Sequence, residues 1–218
     1  EERAALVRAA IEELDYRPNT SGRNLRRGET KTLLVICAVA LDPVLNGIHD
    51  AACGLGYRVV VNYIGRSREK SSSYFNEIFY GNVDGALLYS AFYHDTELIK
   101  IARTLPVVQC CSYLDIPNVC RVSIDEERGG YDMTMHLIGQ GYQRVGLVAL
   151  DLPGVAESFS SKRERGYRRA LQQSGIPYRP ELVLKCETGY LTGLAVGRRF
   201  AEMAGQVDAV FCVQDILA

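Results

Sequence analysis

The sequence predicts an α/β fold built on doubly wound parallel sheets, and three observations carry that prediction. Short apolar runs alternate with helical stretches of roughly 10–15 residues, the pattern of βαβ units. Several of those runs, Leu33-Leu34-Val35-Ile36-Cys37-Ala38-Val39 first among them, are apolar throughout, as strands buried on both faces are. The composition of the 218 residues, 47% hydrophobic and 23% charged, is that of an ordinary globular chain. Right-handed crossovers would then place helices on both faces of each sheet.

The elements follow in order. Val7, Ile11 and Leu14 recur at helical spacing with Ala4 and Ala10 beside them, and Pro18 ends that helix. A polar, basic stretch follows. Between Tyr16 and Lys31 there are five basic residues (Arg17, Arg23, Arg26, Arg27, Lys31) and one acid, Glu29. The first strand begins at Thr32. A helix is predicted from Pro43 to Gly54, a strand from Tyr57 to Ile64, a helix from Glu69 to Phe79 and a strand from Val83 to Tyr89. His94–Arg103 reads as a helix, Pro106–Cys111 and Val119–Ile124 as strands, and Glu126–Gly139 as a helix with a stripe of Tyr131, Met135 and Ile138. The alternation repeats with a strand at Arg144–Leu150, a helix at Ser160–Ser174, a strand at Leu182–Cys186, a helix at Thr192–Ala204 and a strand at Asp208–Val213.

Open parallel sheets bind ligands outside the carboxyl ends of their strands. That rule singles out the loops after Val39, Tyr89, Cys111, Ile124, Leu150, Cys186 and Val213. The chemistry of those loops is narrowed by what the sequence lacks. There is no GxGxxG opening a helix after a strand, no GxxxxGK[ST] and no GxSxG elbow. The carboxylates Asp125-Glu126 sit at a strand-to-helix junction, where acids favourable to the helix dipole are the ordinary finding. Seven cysteines form no CxxC pair, and most lie in strand-like runs, so buried reduced thiols are expected, with the adjacent Cys110-Cys111 the one pair worth a thiol-accessibility test. His49, His94 and His136 are widely separated. No metal, no cofactor and no enzymatic activity are expected. No apolar run reaches the ~18 residues that span a bilayer, and Glu1-Glu2-Arg3 opens a charged helix rather than a signal peptide. A cytoplasmic protein without a membrane partner is the expectation.

Several motifs in order carry a resemblance. Ile11-Glu12-Glu13-Leu14-Asp15-Tyr16-Arg17-Pro18-Asn19 is followed by Leu25-Arg26-Arg27-Gly28-Glu29-Thr30-Lys31-Thr32 and then by Val83-Asp84-Gly85. Val122-Ser123-Ile124-Asp125, His136-Leu137 and Gly141-Tyr142-Gln143-Arg144-Val145-Gly146 come next. Arg163-Glu164-Arg165-Gly166-Tyr167-Arg168-Arg169-Ala170-Leu171 has the form RxxGYxxAL, and the strand from Asp208 runs into Gln214-Asp215-Ile216-Leu217-Ala218. This set resembles the lactose-repressor/galactose-repressor (LacI/GalR) family of bacterial transcription regulators.

The resemblance implies a helix-turn-helix headpiece ending within residues 1–18, a hinge at 19–31, and a periplasmic-binding-protein-like effector domain with an N-subdomain at 32–142 and a C-subdomain at 143–218. Against the family the chain looks cut at both ends, with the second subdomain incomplete and sheet edges left open to aggregation. The implied partners are operator DNA, a small-molecule effector, most often a sugar, and a second copy in a homodimer. For DNA the resemblance points to Tyr16, Arg17, Asn19, Arg23, Arg26 and Arg27, and to Leu25 as an apolar wedge in the minor groove. The other reading of that stretch is a solvated basic linker whose leucine packs on its own protein. A segment this short is marginal as an isolated helix, so folding on DNA is expected.

For the effector, Arg163 falls on the family's ligand-binding arginine, although it also stands on a basic helix where an exposed arginine is ordinary. Asp125 could accept sugar hydroxyls or cap its helix. Gln214-Asp215 replaces the family's usual Asn-Asp, which lengthens the amide by one methylene. Tyr89, Ser90 and Ser112 are placed by the strand-end rule alone. Tyr190 could stack on a ligand or pack in the core. The loop Ala40-Leu41-Asp42-Pro43-Val44-Leu45 lacks the two aromatics common in the family, so stacking on the ligand from there is not expected. The alternatives are a sugar-binding protein of the same fold with no DNA role and an α/β enzyme. The first should begin at the first strand behind an export signal, and the second should show a nucleotide or catalytic fingerprint.

Overall fold

A computed structural model of the chain describes residues 2–14, 28–38, 43–64, 83–89, 95–111, 113, 115–152 and 157–218. Tyr16, Arg17, Asn19, Arg23, Leu25, Arg26, Arg27, Ser90, Ser112 and the helix expected at 69–79 lie outside the described residues. The described elements are α1 (Glu2–Glu13), β1 (Thr32–Cys37), α2 (Pro43–Gly54), β2 (Arg58–Tyr63), β3 (Gly85–Tyr89), α3 (Asp95–Ala102), β4 (Val107–Cys110), β5 (Cys120–Val122), α4 (Glu126–Gly139), β6 (Val145–Leu150), α5 (Phe159–Gln173), β7 (Val183–Cys186), α6 (Tyr190–Glu202) and β8 (Ala209–Cys212). Short 3-10 turns precede β7 at Pro180–Leu182 and follow β8 at Asp215–Leu217. None of the described helices is long and apolar enough to cross a membrane.

The chain divides into two compact units, residues 1–108 and 109–218, with the division inside β4. One sheet has the strand order β2-β1-β3-β4-β5. Within it β1 lies between two neighbours, parallel to β2 from Thr32↔Arg58 to Cys37↔Tyr63 and to β3 from Leu33↔Gly85 to Cys37↔Tyr89. The unbroken apolar run of β1 is explained by this position: Leu34, Val35, Ile36 and Cys37 are fully buried. The edge strands differ. Every residue of β5 is exposed, so Cys120, read from its apolar run as buried, is solvent-facing, as is Cys53 in α2. None of the seven cysteines is in a disulfide; Cys37 and Cys110 are buried and Cys111, Cys186 and Cys212 are half-buried. Val7 in α1 and Leu14 just past it are more than half exposed, and Ile11 between them is half-buried.

The other sheet has the order β7-β6-β8, with β6 parallel to both neighbours. All six residues of β6 are buried. They centre a core with Leu171, Val196, Phe200, Phe211 and Val213. Helix α4 packs on α5, which places it with this second unit.

The two units share a device. Asp84, just before β3, accepts hydrogen bonds from Thr30 N (2.7 Å), Thr30 Oγ1 (2.8 Å) and Lys31 N (2.8 Å), on the segment leading into β1. Asp208, just before β8, accepts from Arg144 N (2.9 Å) and Gln143 N (3.2 Å), on the segment leading into β6. Each carboxylate ties the entry of one strand to the entry of the strand it pairs with. Burial alone would raise both carboxyls, but the Thr30 and Lys31 donors at Asp84 and the Arg144 and Gln143 donors at Asp208 outweigh it and hold both below the usual range. A lowered folded value gives stability that is present above the unfolded carboxyl pKa of about 4 and is lost as pH falls through the folded value. Asp84→Asn and Asp208→Asn, neutral mimics of the protonated acid, should each cost about 1–2 kcal/mol at pH 7. In urea denaturation the gap to wild type should close toward about pH 3; a gap unchanged at that pH would count against the clasp.

Candidate functional site

The order β7-β6-β8 has a topological switch: the chain leaves β6 for β7 on one side and returns to β8 on the other. The crevice outside the carboxyl ends of β6 and β8 is where such a sheet accepts ligands. Two helix starts of this unit carry side-chain caps. Asp125 is the N-cap of α4, its Oδ1 accepting from Arg128 N at 2.9 Å. Ser158 and Ser161 form a reciprocal capping box on α5. Ser160, buried in the first turn of α5, accepts from Leu150 N at 2.9 Å and so pins that helix to the end of β6.

Two glycines let α4 and α5 cross with their backbones in contact. A Cβ on Gly166 would stand 2.1 Å from Glu127 O and 2.5 Å from Tyr131 N, and one on Gly130 would stand 2.3 Å from Arg163 O. The crossing is braced outside by Glu127, which pairs with Arg169 at 2.7 Å and Arg165 at 3.4 Å, and by Tyr131 Oη donating to Gln173 at 2.7 Å. Inside, it sets Glu126 against Arg163.

Glu126 is 5% exposed. Its Oε2 accepts from Arg163 Nε and Nη2, both at 2.7 Å, and its Oε1 accepts from Tyr113 Oη at 2.5 Å. Arg163 Nη1 donates to the Val213 carbonyl, just past β8, at 2.5 Å, and its guanidinium lies 5.4 Å from the Phe159 ring centroid. Burial, reinforced by the Glu126 carboxylate, pushes the Tyr113 phenol far up, so it remains a protonated donor. Arg163 is therefore held from three sides beside the carboxyl end of β8, with 28% of its side chain exposed. Of its five N–H bonds, three have these partners and two have none among the described residues.

The effector residues expected from sequence fall as follows. Arg163, Asp125, Gln214 and Asp215 lie in the second unit, at or beside the strand ends. Gln214 Oε1 accepts from Thr188 Oγ1 at 3.0 Å, which leaves its amide nitrogen without a partner among the described residues. Asp215 is exposed, and its Oδ1 accepts from Ile216 N at 2.8 Å. Tyr89 lies at the carboxyl end of β3 in the first unit and is 5% exposed. Tyr190 is 70% exposed at the start of α6, so the alternative of core packing does not hold for it. Glu126 and Tyr113 were not singled out from sequence as site residues. Glu126 reads there as one more helix N-terminal acid, and its partner is 37 residues away.

Residues 41–218 match the family described as periplasmic binding proteins and sugar binding domain of LacI family. The chain is 27% identical over 221 residues to the HTH-type transcriptional repressor CytR of Escherichia coli (strain K12), covering 97% of this chain and 63% of that protein. It is 26% identical to catabolite control protein A of Priestia megaterium, covering 97% of this chain and 65% of the relative. Among solved structures, the transcriptional regulator CelR-cellobiose complex superposes with a TM-score of 0.74 at 28% identity, covering 97% of this chain and 64% of that one. The chain thus spans somewhat under two thirds of the length of these relatives.

Proposed function

Because the chain belongs to the family of periplasmic binding proteins and LacI-type sugar-binding domains, we propose that it acts as a ligand-responsive, DNA-binding transcriptional regulator of the repressor type and not as an enzyme. The observation that carries this reading is Arg163, fixed at the β6–β8 switch crevice with two N–H bonds left over for hydroxyl oxygens. Its effector is a sugar or sugar derivative, with Asp125, Gln214 and Asp215 beside the arginine and with Tyr89 and Ser112 as further candidates. Residues 1–18 form the end of a headpiece and 19–31 a hinge, where Tyr16, Arg17, Asn19, Arg23, Leu25, Arg26 and Arg27 meet operator DNA. The protein works in the cytoplasm as a homodimer, with no cofactor and no membrane partner. The effector acts by population shift, and it can move the equilibrium only by its differential affinity for the two states. CelR was solved with cellobiose, which makes neutral disaccharides the natural start of a ligand panel.

The test uses the intact protein and the DNA upstream of its own coding region in a mobility-shift assay. Retention that falls steeply with salt, and that changes with whichever sugar raises the melting temperature, is the expected result. Leu25→Ser should weaken retention and leave the sugar response unchanged, and Arg163→Met should do the reverse. A protein that responds to sugar but retains no DNA at low salt would instead be the binding protein without a DNA role.

A further inference from the structure

We infer that Glu126 sets the charge class of the ligand: the site takes an uncharged polyhydroxyl molecule and turns away phosphorylated or carboxylate-bearing ones. This rests on the reading of Arg163 as a ligand partner.

An arginine at the mouth of a crevice ordinarily recruits anions, because its planar fork matches carboxylate and phosphate with two charge-assisted bonds. In this chain that fork is taken. Glu126 Oε2 sits 2.7 Å from both Nε and Nη2, and the Val213 carbonyl holds Nη1. The carboxylate comes from within the protein, is almost wholly buried, and is gripped from behind by a tyrosine hydroxyl at 2.5 Å. It cannot swing away to admit a competing anion without stranding Tyr113 and leaving a charge unpaired in a buried place.

The surroundings add to this. Asp125 adjoins Glu126, Asp151 follows the end of β6, and Asp215 lies two residues after Val213; all three are exposed and form no ion pair among the described residues. The neighbouring cation, Lys162, lies 3.4 Å from Glu157 and over the Tyr113 ring at 5.1 Å. An incoming anion would meet a neutralised guanidinium and unpaired carboxylates, and like-charge juxtaposition is strongly unfavourable. What remains suits hydroxyl groups: two single N–H donors on Arg163, the amide nitrogen of Gln214, and carboxylate oxygens as acceptors.

The probe is inorganic phosphate, titrated into the intact protein without DNA and read by calorimetry and thermal melting. Wild type should show no saturable phosphate binding that depends on Arg163. Glu126→Gln keeps the shape and removes the charge, and it should raise phosphate affinity by at least about tenfold. Adding Arg163→Met should abolish that gain. Tyr113→Phe loosens the carboxylate but leaves its charge, and should stay blind to phosphate. The assignment is overturned if wild type already binds phosphate through Arg163, or if a cooperatively melting Glu126→Gln binds it no better than wild type. Should Glu126→Gln fail to fold, the comparison of wild type with Arg163→Met decides alone: Arg163-dependent phosphate binding overturns the assignment and its absence supports it. DNA retention is measured separately, so failure of the regulator reading and failure of the charge assignment are distinct results.

Discussion

Gly166→Ala should destabilise the second unit by about 3 kcal/mol or more, an overpacking penalty at the upper end of the usual range. The sign is what makes this informative. In an exposed helix the same change gains about 1 kcal/mol, because alanine is the better helix former. Here the added methyl would stand 2.1 Å from Glu127 O and 2.5 Å from Tyr131 N. Both are backbone atoms, so no rotamer change relieves the clash and α5 must move off α4. Arg163 lies on the same helix face, one turn before Gly166, so its bonds to Glu126 should be lost with the crossing. Gly129→Ala is the control. It lies on α4 beside the crossing but is exposed, with nothing within 4 Å of its added methyl, and should be neutral or stabilising. Urea denaturation of both variants checks the pair; equal effects would mean that the close crossing does not hold in solution.

Tyr167→Ala should cost about 3–5 kcal/mol, the range for emptying a large aromatic site. The side chain is 1% exposed, meets the Tyr178 ring edge-on at 6.3 Å, and donates its hydroxyl to the carbonyl of Val145, the first residue of β6, at 2.7 Å. Tyr167→Phe separates the two contributions. It keeps the ring and removes one buried hydrogen bond, for a loss of about 1–2 kcal/mol. Thermal melts of the two variants should differ accordingly; a Phe variant as damaged as the Ala variant would mean that the hydrogen bond, not the ring packing, carries the stability.

These positions show what the sequence did and did not disclose. The motif RxxGYxxAL is readable as a helix, and its apolar members could be assigned to a core. The reason for its glycine could not, because the residues it must accommodate, Glu127 and Tyr131, belong to another helix. The strands β1 and β6 are legible because burial on both faces leaves no polar residue to interrupt the run. Cys120 lies on an exposed strand, so its burial was misjudged, and of the two readings open for Tyr190 core packing fails for the same reason. At the candidate site, Arg163 is picked out by motif and Asp125 by strand end, and the structure gives Asp125 the role of N-cap. Glu126 is not picked out, since a helix N-terminal acid looks the same in sequence whether it faces solvent or a buried arginine.

The aspartate clasps carry a last implication, for folding rather than for binding. Each closes a loop within its own unit, linking Asp84 to Thr30 across 54 residues and Asp208 to Arg144 across 64. Each also locks the same pair of strand entries, so either half has the means to settle its own register. Amides of β1 and of β6 are then expected to open to exchange as two separate blocks; one common free energy for both strands would count against it.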